Sequence, residues 1–197
     1  TGTVGGSGRF RARRARVEGA RVRPWFSPGK GKAMGRRIAR AIGRARRRIR
    51  VCSPVLTEAH ILRALAGVVA RGAVDVAGVC DGTQMIQVLG QWRREVHAGW
   101  KVPVVGSILA GVPFGAKRSI PYAPDAVHDY MHAKVTVVDD TVFVGSYNLS
   151  GAGQDNAENV LEIRDEPLAE RMAAFIDDLR KRYPGPLTWP TDSVEGG

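Results

Sequence analysis

The apolar positions of the chain switch between helical and strand spacing from about residue 22 onward. In the first helix they recur every three or four residues, with arginines on the opposite face: Met34, Ile38, Ala41, Ile42, Ala45 and Ile49. Apolar runs at Ile49–Ser53 and Val74–Val79 predict strands, as does the shorter run 22–26. A second helix is predicted over residues 58–71, with Thr57 as its N-cap and Gly72 ending it.

The second half of the chain continues this alternation after an irregular region. A helix is predicted over 84–97, and residues 100–130, which contain four prolines, are predicted to be a long loop. Three further strands and a last helix follow: Val135–Asp139, Thr141–Gly145, Val160–Ile163 and residues 167–183, with Asp165 as the helix cap. Helices alternating with strands predict an α/β fold, a mixed central β-sheet flanked by helices.

Three segments of different character are predicted along the chain. Residues 1–21 are rich in Gly and Arg without apolar periodicity, which predicts a flexible basic arm or linker. Residues 22–183 are predicted to form one α/β lobe, and residues 184–197 a loose tail. The apolar segment 102–116 has two interpretations, an ordinary buried connection or the lining of an acyl-chain pocket or membrane contact.

Charge is distributed unevenly. Residues 1–50 contain 17 Lys or Arg and one acidic residue, Glu18, whereas the rest contains 13 basic and 18 acidic residues. One interpretation is a basic surface that attracts nucleic acid or an anionic membrane. The other is a solvated face in a chain that favours Arg over Lys, 24 to 6. Charge alone therefore does not choose a substrate.

Cys52 and Cys80 are the two cysteines, and each ends a predicted strand. Two buried free thiols are the favoured interpretation, because a zinc site needs more ligands. No apolar run reaches the roughly 18 residues needed to span a bilayer. We expect a soluble protein, cytoplasmic or peripheral to a membrane, rather than a secreted one.

The richest chemistry lies in the segment 132–139. Alternate residues of an extended segment share a face, so His132 and Lys134 are predicted to project together. An imidazole beside an ammonium suits attack on a phosphodiester, since one group is a nucleophile or acid and the other neutralises phosphate charge. Small hydroxyl and amide donors follow at Ser146 and Asn148, and a carboxylate at Glu158.

These residues resemble a known family. His132, Lys134 and Asp139 match the HxKxxxxD pattern of the phospholipase D superfamily, and its Gly-Ser-x-Asn segment follows at 145–148. The resemblance extends to Phe26–Gly29, Ser53–Thr57 and the stretch from Asp125 to Ile163, and covers roughly residues 22–183 as one lobe of such an enzyme.

The resemblance implies a role for each of these residues. His132 would be the nucleophile that becomes phosphohistidine, or the general acid. Lys134 and Asn148 would hold phosphate oxygens, and Ser146 would add a hydrogen bond. Glu158 would orient the imidazole, and Asp139 is more often structural than chemical. No metal or other cofactor is expected, because Lys and Asn donors replace the cation.

In this family two HxKxxxxD lobes build one active site. The other histidines, His60, His97 and His128, lack a lysine two positions later, so this sequence supplies one copy. The second lobe would come from an identical subunit or from a lobe outside this sequence. The resemblance favours hydrolysis or phosphatidyl transfer on glycerophospholipids. The alternatives are a metal-independent homodimeric endonuclease and a non-catalytic lobe that binds anionic lipid or nucleic acid.

Overall fold

A single eight-stranded mixed sheet organises the computed structural model, which describes residues 13–27, 29–121 and 123–185. The strands are β1 Ala15–Val17, β2 Ala20–Phe26, β3 Arg48–Ser53, β4 Asp75–Asp81, β5 Phe114–Lys117, β6 Val135–Val138, β7 Thr141–Gly145 and β8 Asn159–Arg164. Their order is β1-β2-β8-β7-β6-β3-β4-β5. Strands β3, β4 and β5 are parallel, and the other neighbours pair antiparallel. The predicted fold class, a mixed sheet flanked by helices, is confirmed.

Within the described residues, five α-helices and one short 3-10 turn accompany the sheet: α1 Gly31–Gly43, α2 Ala59–Arg71, α3 Gly82–Arg94, α4 Lys101–Gly111, α5 Glu166–Arg182 and the turn Ala152–Gln154. Asp165 caps α5 as predicted, since its side chain accepts a hydrogen bond from the Leu168 N–H. The predicted cap of α2, Thr57, is wrong. The Glu58 carboxylate has that role and accepts from the Ile61 N–H at 2.7 Å.

The sheet has a hydrophobic cluster on each face. Neighbouring residues of β3 point to opposite sides, so Val51 belongs to one cluster and Cys52 to the other. Helices α1 to α4 cover the Val51 face and α5 covers the Cys52 face. Cys52 and Cys80 are both free and buried, as predicted. Burial raises the pKa of the Cys52 thiol to about 12.

The prediction of a flexible arm over residues 1–21 is wrong for its last part. Ala15–Val17 and Ala20–Phe26 form an antiparallel hairpin, with Glu18 and Gly19 in the turn at positive φ. Pairing of β2 with β8 accounts for this order, because it satisfies backbone groups that sequence periodicity does not reveal. Residues 1–12 of the arm, and residues 186–197 of the predicted tail, lie outside the described residues.

The prediction of a continuous loop over 100–130 is also wrong. Residues 101–111 form α4, and 114–117 form the edge strand β5. Pro103 lies in the first turn of α4, where a missing N–H costs little. Val105 and Ile108 are buried in the core, and α4 packs against α2. The apolar side chains of this segment therefore pack in the core, and the interpretation of the segment as an acyl-chain pocket is not supported. In the part of the chain that the structure describes, no helix is long and apolar enough to cross a membrane.

Candidate active site

The candidate catalytic residues lie at one end of the sheet, where β3, β4 and β7 end and β6 and β8 begin. His132 and Lys134 lie just before β6 and not within it. His132 is exposed. It lines a cleft of about 370 Å³ together with Asn148, with Pro54 just after β3, and with side chains from α3 and the 121–130 segment: Thr83, Gln84, Gln87, Pro121 and Tyr130.

A buried carboxylate holds this segment in place. Asp81 is fully buried at the end of β4. It accepts hydrogen bonds from the Met131 N–H at 3.0 Å, the Ser119 hydroxyl at 2.7 Å and the Gln84 N–H at 3.0 Å. An aspartate between a strand and a helix is typical of an N-cap. Its hydrogen bond to Met131, however, depends on a contact 50 residues away in sequence, which no local pattern indicates. Sequence reasoning missed Asp81 as part of the site.

Lys134 is half-buried behind His132. Its ammonium donates a hydrogen bond to the His132 carbonyl oxygen, with 2.8 Å between Nζ and O. Burial lowers the pKa of Lys134, and the negative charge of Glu158 opposes that shift. Lys134 and Glu158 are therefore close enough to interact electrostatically, as a phosphate-binding cation and a carboxylate in one site would.

The 145–150 segment brings Ser146 and Asn148 to the same end of the sheet. The Ser146 hydroxyl accepts from the Asn159 N–H at 3.0 Å, which leaves its own O–H proton available to a ligand. The Oδ1 atom of Asn148 is buried without a hydrogen-bond partner among the described residues. This oxygen is an acceptor, so it is the Asn148 NH₂ group, and not Oδ1, that could donate to a phosphate oxygen.

Two further serines support this segment and were missed in the sequence. Ser53 is fully buried, and its Oγ accepts a hydrogen bond from the Leu149 N–H at 3.4 Å. The Ser27 Oγ accepts from the Glu158 N–H at 3.1 Å and donates to the Asn156 carbonyl at 2.6 Å. Both serines fall in segments on which the resemblance rested, but their partners are 96 and 131 residues away in sequence.

The structure brings Asn148 and Lys134 to His132 and places Ser146 and Glu158 at the same end of the sheet, but it does not give Glu158 its expected contact. Within the described chain, no hydrogen bond joins the Glu158 carboxylate to the His132 ring. The orienting role of Glu158 therefore stays a prediction.

Asp139 follows the end of β6 opposite to His132, so it lies away from the other candidate residues. Seven residues of nearly extended chain separate it from His132, roughly 20 Å. Its carboxylate accepts from the backbone N–H groups of Arg46, Arg47 and Arg48, with N–O distances from 2.9 to 3.3 Å. Asp139 therefore anchors the chain between α1 and β3.

No group of three or more His, Cys, Asp or Glu side chains among the described residues is arranged to hold a metal ion. The cleft instead offers an imidazole, an amide and hydroxyls, with a lysine behind them.

Comparisons with known proteins agree with this geometry. The family model described as the PLD-like domain of cardiolipin synthase matches residues 38–180. Among solved structures, the phospholipase D family member Nuc from Salmonella typhimurium is 26% identical with a TM-score of 0.60, covering 84% of this chain and 97% of Nuc. NucT from Helicobacter pylori has 19% identity and a TM-score of 0.63, over 84% of this chain and 99% of NucT.

Phosphatidylserine synthase from Haemophilus influenzae shares the fold over 83% of this chain but 38% of its own, with 21% identity and a TM-score of 0.58. The comparison with curated proteins finds no match. The family match spans most of the chain and contains the whole His132 to Glu158 cluster. The chain thus belongs to the phospholipase D superfamily, as one lobe of its fold.

Proposed function

We propose that this protein is a metal-independent phosphodiesterase whose active site is completed by a second copy of the chain. One observation carries the proposal. His132 and Asn148 line a common cleft, and Lys134 donates a hydrogen bond to the His132 carbonyl oxygen and interacts electrostatically with Glu158. An exposed imidazole next to a cation and an amide whose N–H groups can donate is suited to phosphoryl transfer.

The reaction proceeds in two displacements. One His132 ring nitrogen attacks phosphorus, forming an N–P bond as the P–O bond to the leaving group breaks. The partner subunit's copy of the same imidazole, protonated beforehand, gives its proton to the leaving oxygen. Water then attacks phosphorus as the N–P bond to His132 breaks, its proton returns to that second imidazole, and the phosphate monoester is released. Lys134 and Asn148 stabilise the charge on the non-bridging oxygens.

The length of the single-lobe neighbours supports pairing of identical lobes. The matched region covers Nuc and NucT almost end to end, whereas it covers well under half of phosphatidylserine synthase. This chain carries one HxKxxxxD pattern, so two copies supply the two histidines that the reaction needs. The equilibrium between one copy and two should then control specific activity.

Nucleic acid is the favoured substrate class. The lipid interpretation drew on the apolar segment 102–116, whose Val105 and Ile108 are buried in the core. The cleft is lined mainly by polar side chains, and the chain carries a net charge of +11. A glycerophospholipid remains the second candidate, because the matching family model is described for cardiolipin synthase.

The test is turnover of bis(p-nitrophenyl) phosphate and of plasmid DNA in excess EDTA by the wild-type chain and His132→Ala. His97→Ala is the matched control, since His97 is exposed and lies outside the cleft. We expect turnover by the wild type and His97→Ala, with loss of at least roughly 1,000-fold in His132→Ala. Equal turnover by His132→Ala would refute the site. Turnover of phosphatidylglycerol vesicles without DNA cleavage would favour the lipid candidate.

Pairing is tested separately. Specific activity should rise with chain concentration in parallel with the mass measured by light scattering. Mixed dimers of wild type and His132→Ala should be inactive, because each needs two intact imidazoles. Full activity of a monomer would contradict pairing. A chain that binds DNA but never turns over any diester would support the non-catalytic alternative.

A further inference from the structure

An arginine-lined depression lies on the α1 face of the sheet, at the end opposite His132. This arginine pocket has a volume of about 270 Å³ and is lined by Arg14, Arg21, Val22, Arg23, Arg37, Thr141, Glu162 and Arg164. Strand register creates it. Arg21 of β2 lies directly across from Arg164 of β8, and Arg23 directly across from Glu162.

The positive charge in the arginine pocket is poorly compensated. Like charges directly opposite each other on paired strands destabilise a sheet, and Arg21 and Arg164 are such a pair. The one acidic residue lining the pocket, Glu162, already accepts hydrogen bonds from the Trp25 indole N–H at 3.0 Å and from Arg37. A bound anion would relieve this repulsion.

Arg23 is also surrounded by other positive charges. Its guanidinium stacks 3.8 Å from the centre of the Trp25 ring. Burial lowers the pKa of Arg23, Glu162 raises it, and the nearby Arg14 and Arg37 lower it further. The stacking fixes the plane of the guanidinium, so its N–H groups are arranged before a ligand arrives.

The basic surface continues across α1. On its α2 side, a second depression of about 320 Å³ is lined by Arg36, Ala39, Arg40, His60 and Arg63. Arg37 lines the first depression and Arg36 and Arg40 line the second, and Arg40 also acts electrostatically on Arg23, so the positive surface is continuous between them. A continuous surface of this kind matches a ligand with many phosphates better than a single headgroup.

The arginine pocket is distinct from the cleft. Arg164 and Thr141 lie at one end of β8 and β7, while Asn159 and Gly145, next to the candidate active site, lie at the other. The five-residue length between Arg164 and Asn159 corresponds to about 17 Å along the strand. A phosphate held in the arginine pocket is therefore not the phosphate that reacts.

We propose that the arginine pocket and the neighbouring α1 surface bind backbone phosphates of nucleic acid, remote from the scissile bond. Arginine forks suit phosphate oxygens, and Val22 is the one large apolar residue lining the pocket, whereas a membrane-docking surface inserts several. The inference rests on the proposed function only in treating the bound polymer as the substrate.

The experiment measures binding of a fluorescein-labelled 20-base-pair duplex in the His132→Ala background, where turnover does not interfere. The test variant is Arg21→Gln with Arg164→Gln. The control is Arg171→Gln with Arg182→Gln, which removes the same charge from exposed positions on α5. We expect the test variant to raise Kd roughly tenfold and to lower the slope of log K against log salt by about 2, with a much smaller change in the control.

The melting temperature of the ligand-free test variant shows whether the two substitutions have damaged the fold. Removing the facing arginines relieves repulsion, so the melting temperature of the ligand-free test variant should equal or exceed that of its parent. Equal weakening of DNA binding by both variants would overturn the pocket, since net charge alone would then explain it. If the chain binds phosphatidylglycerol vesicles through these arginines but does not bind DNA, the nucleic-acid proposal is wrong and the pocket is a membrane-binding site. If DNA binding depends on these arginines but the wild type turns over no diester, the proposed function fails and the pocket stands.

Discussion

The buried carboxylate of Asp81 accepts a hydrogen bond from the backbone N–H of Met131, the residue immediately before His132, with 3.0 Å between N and Oδ2. The same carboxylate caps α3 and accepts from the Ser119 hydroxyl. One side chain therefore fixes the imidazole segment to the sheet, to α3 and to the loop that lines the cleft.

Asp81→Asn should impair catalysis through position. An amide offers one acceptor oxygen where two are used, and its NH₂ group would face backbone and hydroxyl donors. We expect the free energy of unfolding to fall by about 1–3 kcal/mol and kcat on a small diester to fall roughly 10- to 100-fold, with little change in KM. Ser119→Ala removes one of the three donors and should have a smaller effect on both quantities. An Asp81→Asn enzyme with wild-type kcat would contradict this role.

The fold was largely predictable, and the candidate catalytic segment could be proposed, because both depend on local patterns. Helix spacing, strand runs and the caps at Gly72 and Asp165 come from neighbouring residues in sequence. The HxKxxxxD segment likewise carries its chemistry within eight residues. The roles of Ser146 and Asn148 are implied by the resemblance and stay predictions.

What could not be predicted depends on long-range contacts. Ser27, Ser53 and Asp81 act through partners 50 to 131 residues away, which no periodicity reveals. Helix α4 was hidden by Pro103 in its first turn and by Pro113 just after its end, and its existence depends on packing against α2. Asp139 belongs to the sequence pattern but is separated from His132 by the whole length of β6.

Lys134→Met should raise stability while it abolishes activity. The pKa of Lys134 is lowered by burial, so between that pKa and its ordinary value of 10.5 the unfolded chain binds more protons. Stability therefore rises with pH through this window, and the cost of the buried ammonium is fully present below it. Methionine keeps the apolar stem and removes that cost, so thermal unfolding at pH 7 should occur at a higher temperature. Turnover should fall at least roughly 100-fold.

The matched control is Lys134→Arg, which keeps the charge. It should show no gain in stability. Equal melting temperatures for wild type and Lys134→Met at pH 7, or a gain that grows toward pH 10.5, would contradict the linkage.

Glu158→Gln should move the alkaline limit of activity. The Glu158 carboxylate raises the pKa of Lys134 against the effect of burial. Removing its charge therefore lowers that pKa further, and the protonated lysine is lost at a lower pH. The alkaline limb of the kcat/KM profile should shift downward in pH relative to wild type. Asp178→Asn, an exposed change on α5, should leave the limb in place; an upward shift in Glu158→Gln would exclude this explanation.

Asp139→Ala should destabilise the fold without affecting the chemistry. Three backbone N–H groups lose their acceptor, and alanine is disfavoured at the positive φ of 49° that Asp139 adopts. We expect the free energy of unfolding to fall by about 1–3 kcal/mol. Below the melting temperature, kcat per folded chain should match wild type. A large fall in kcat with unchanged stability would instead give Asp139 a chemical role.

Gly145→Ala should disrupt the active site by steric contact. A Cβ at residue 145 would lie 2.2 Å from the Asn159 carbonyl oxygen, so β7 and β8 must separate where Ser146 pairs with Asn159. We expect a loss of about 1–3 kcal/mol in the free energy of unfolding and a marked fall in turnover. Gly151→Ala is the control, since nothing lies within 4 Å of its added methyl and its φ of −62° suits alanine. The test is to measure denaturant unfolding and diester turnover of the two variants side by side. Equal losses in both variants would rule out the steric explanation.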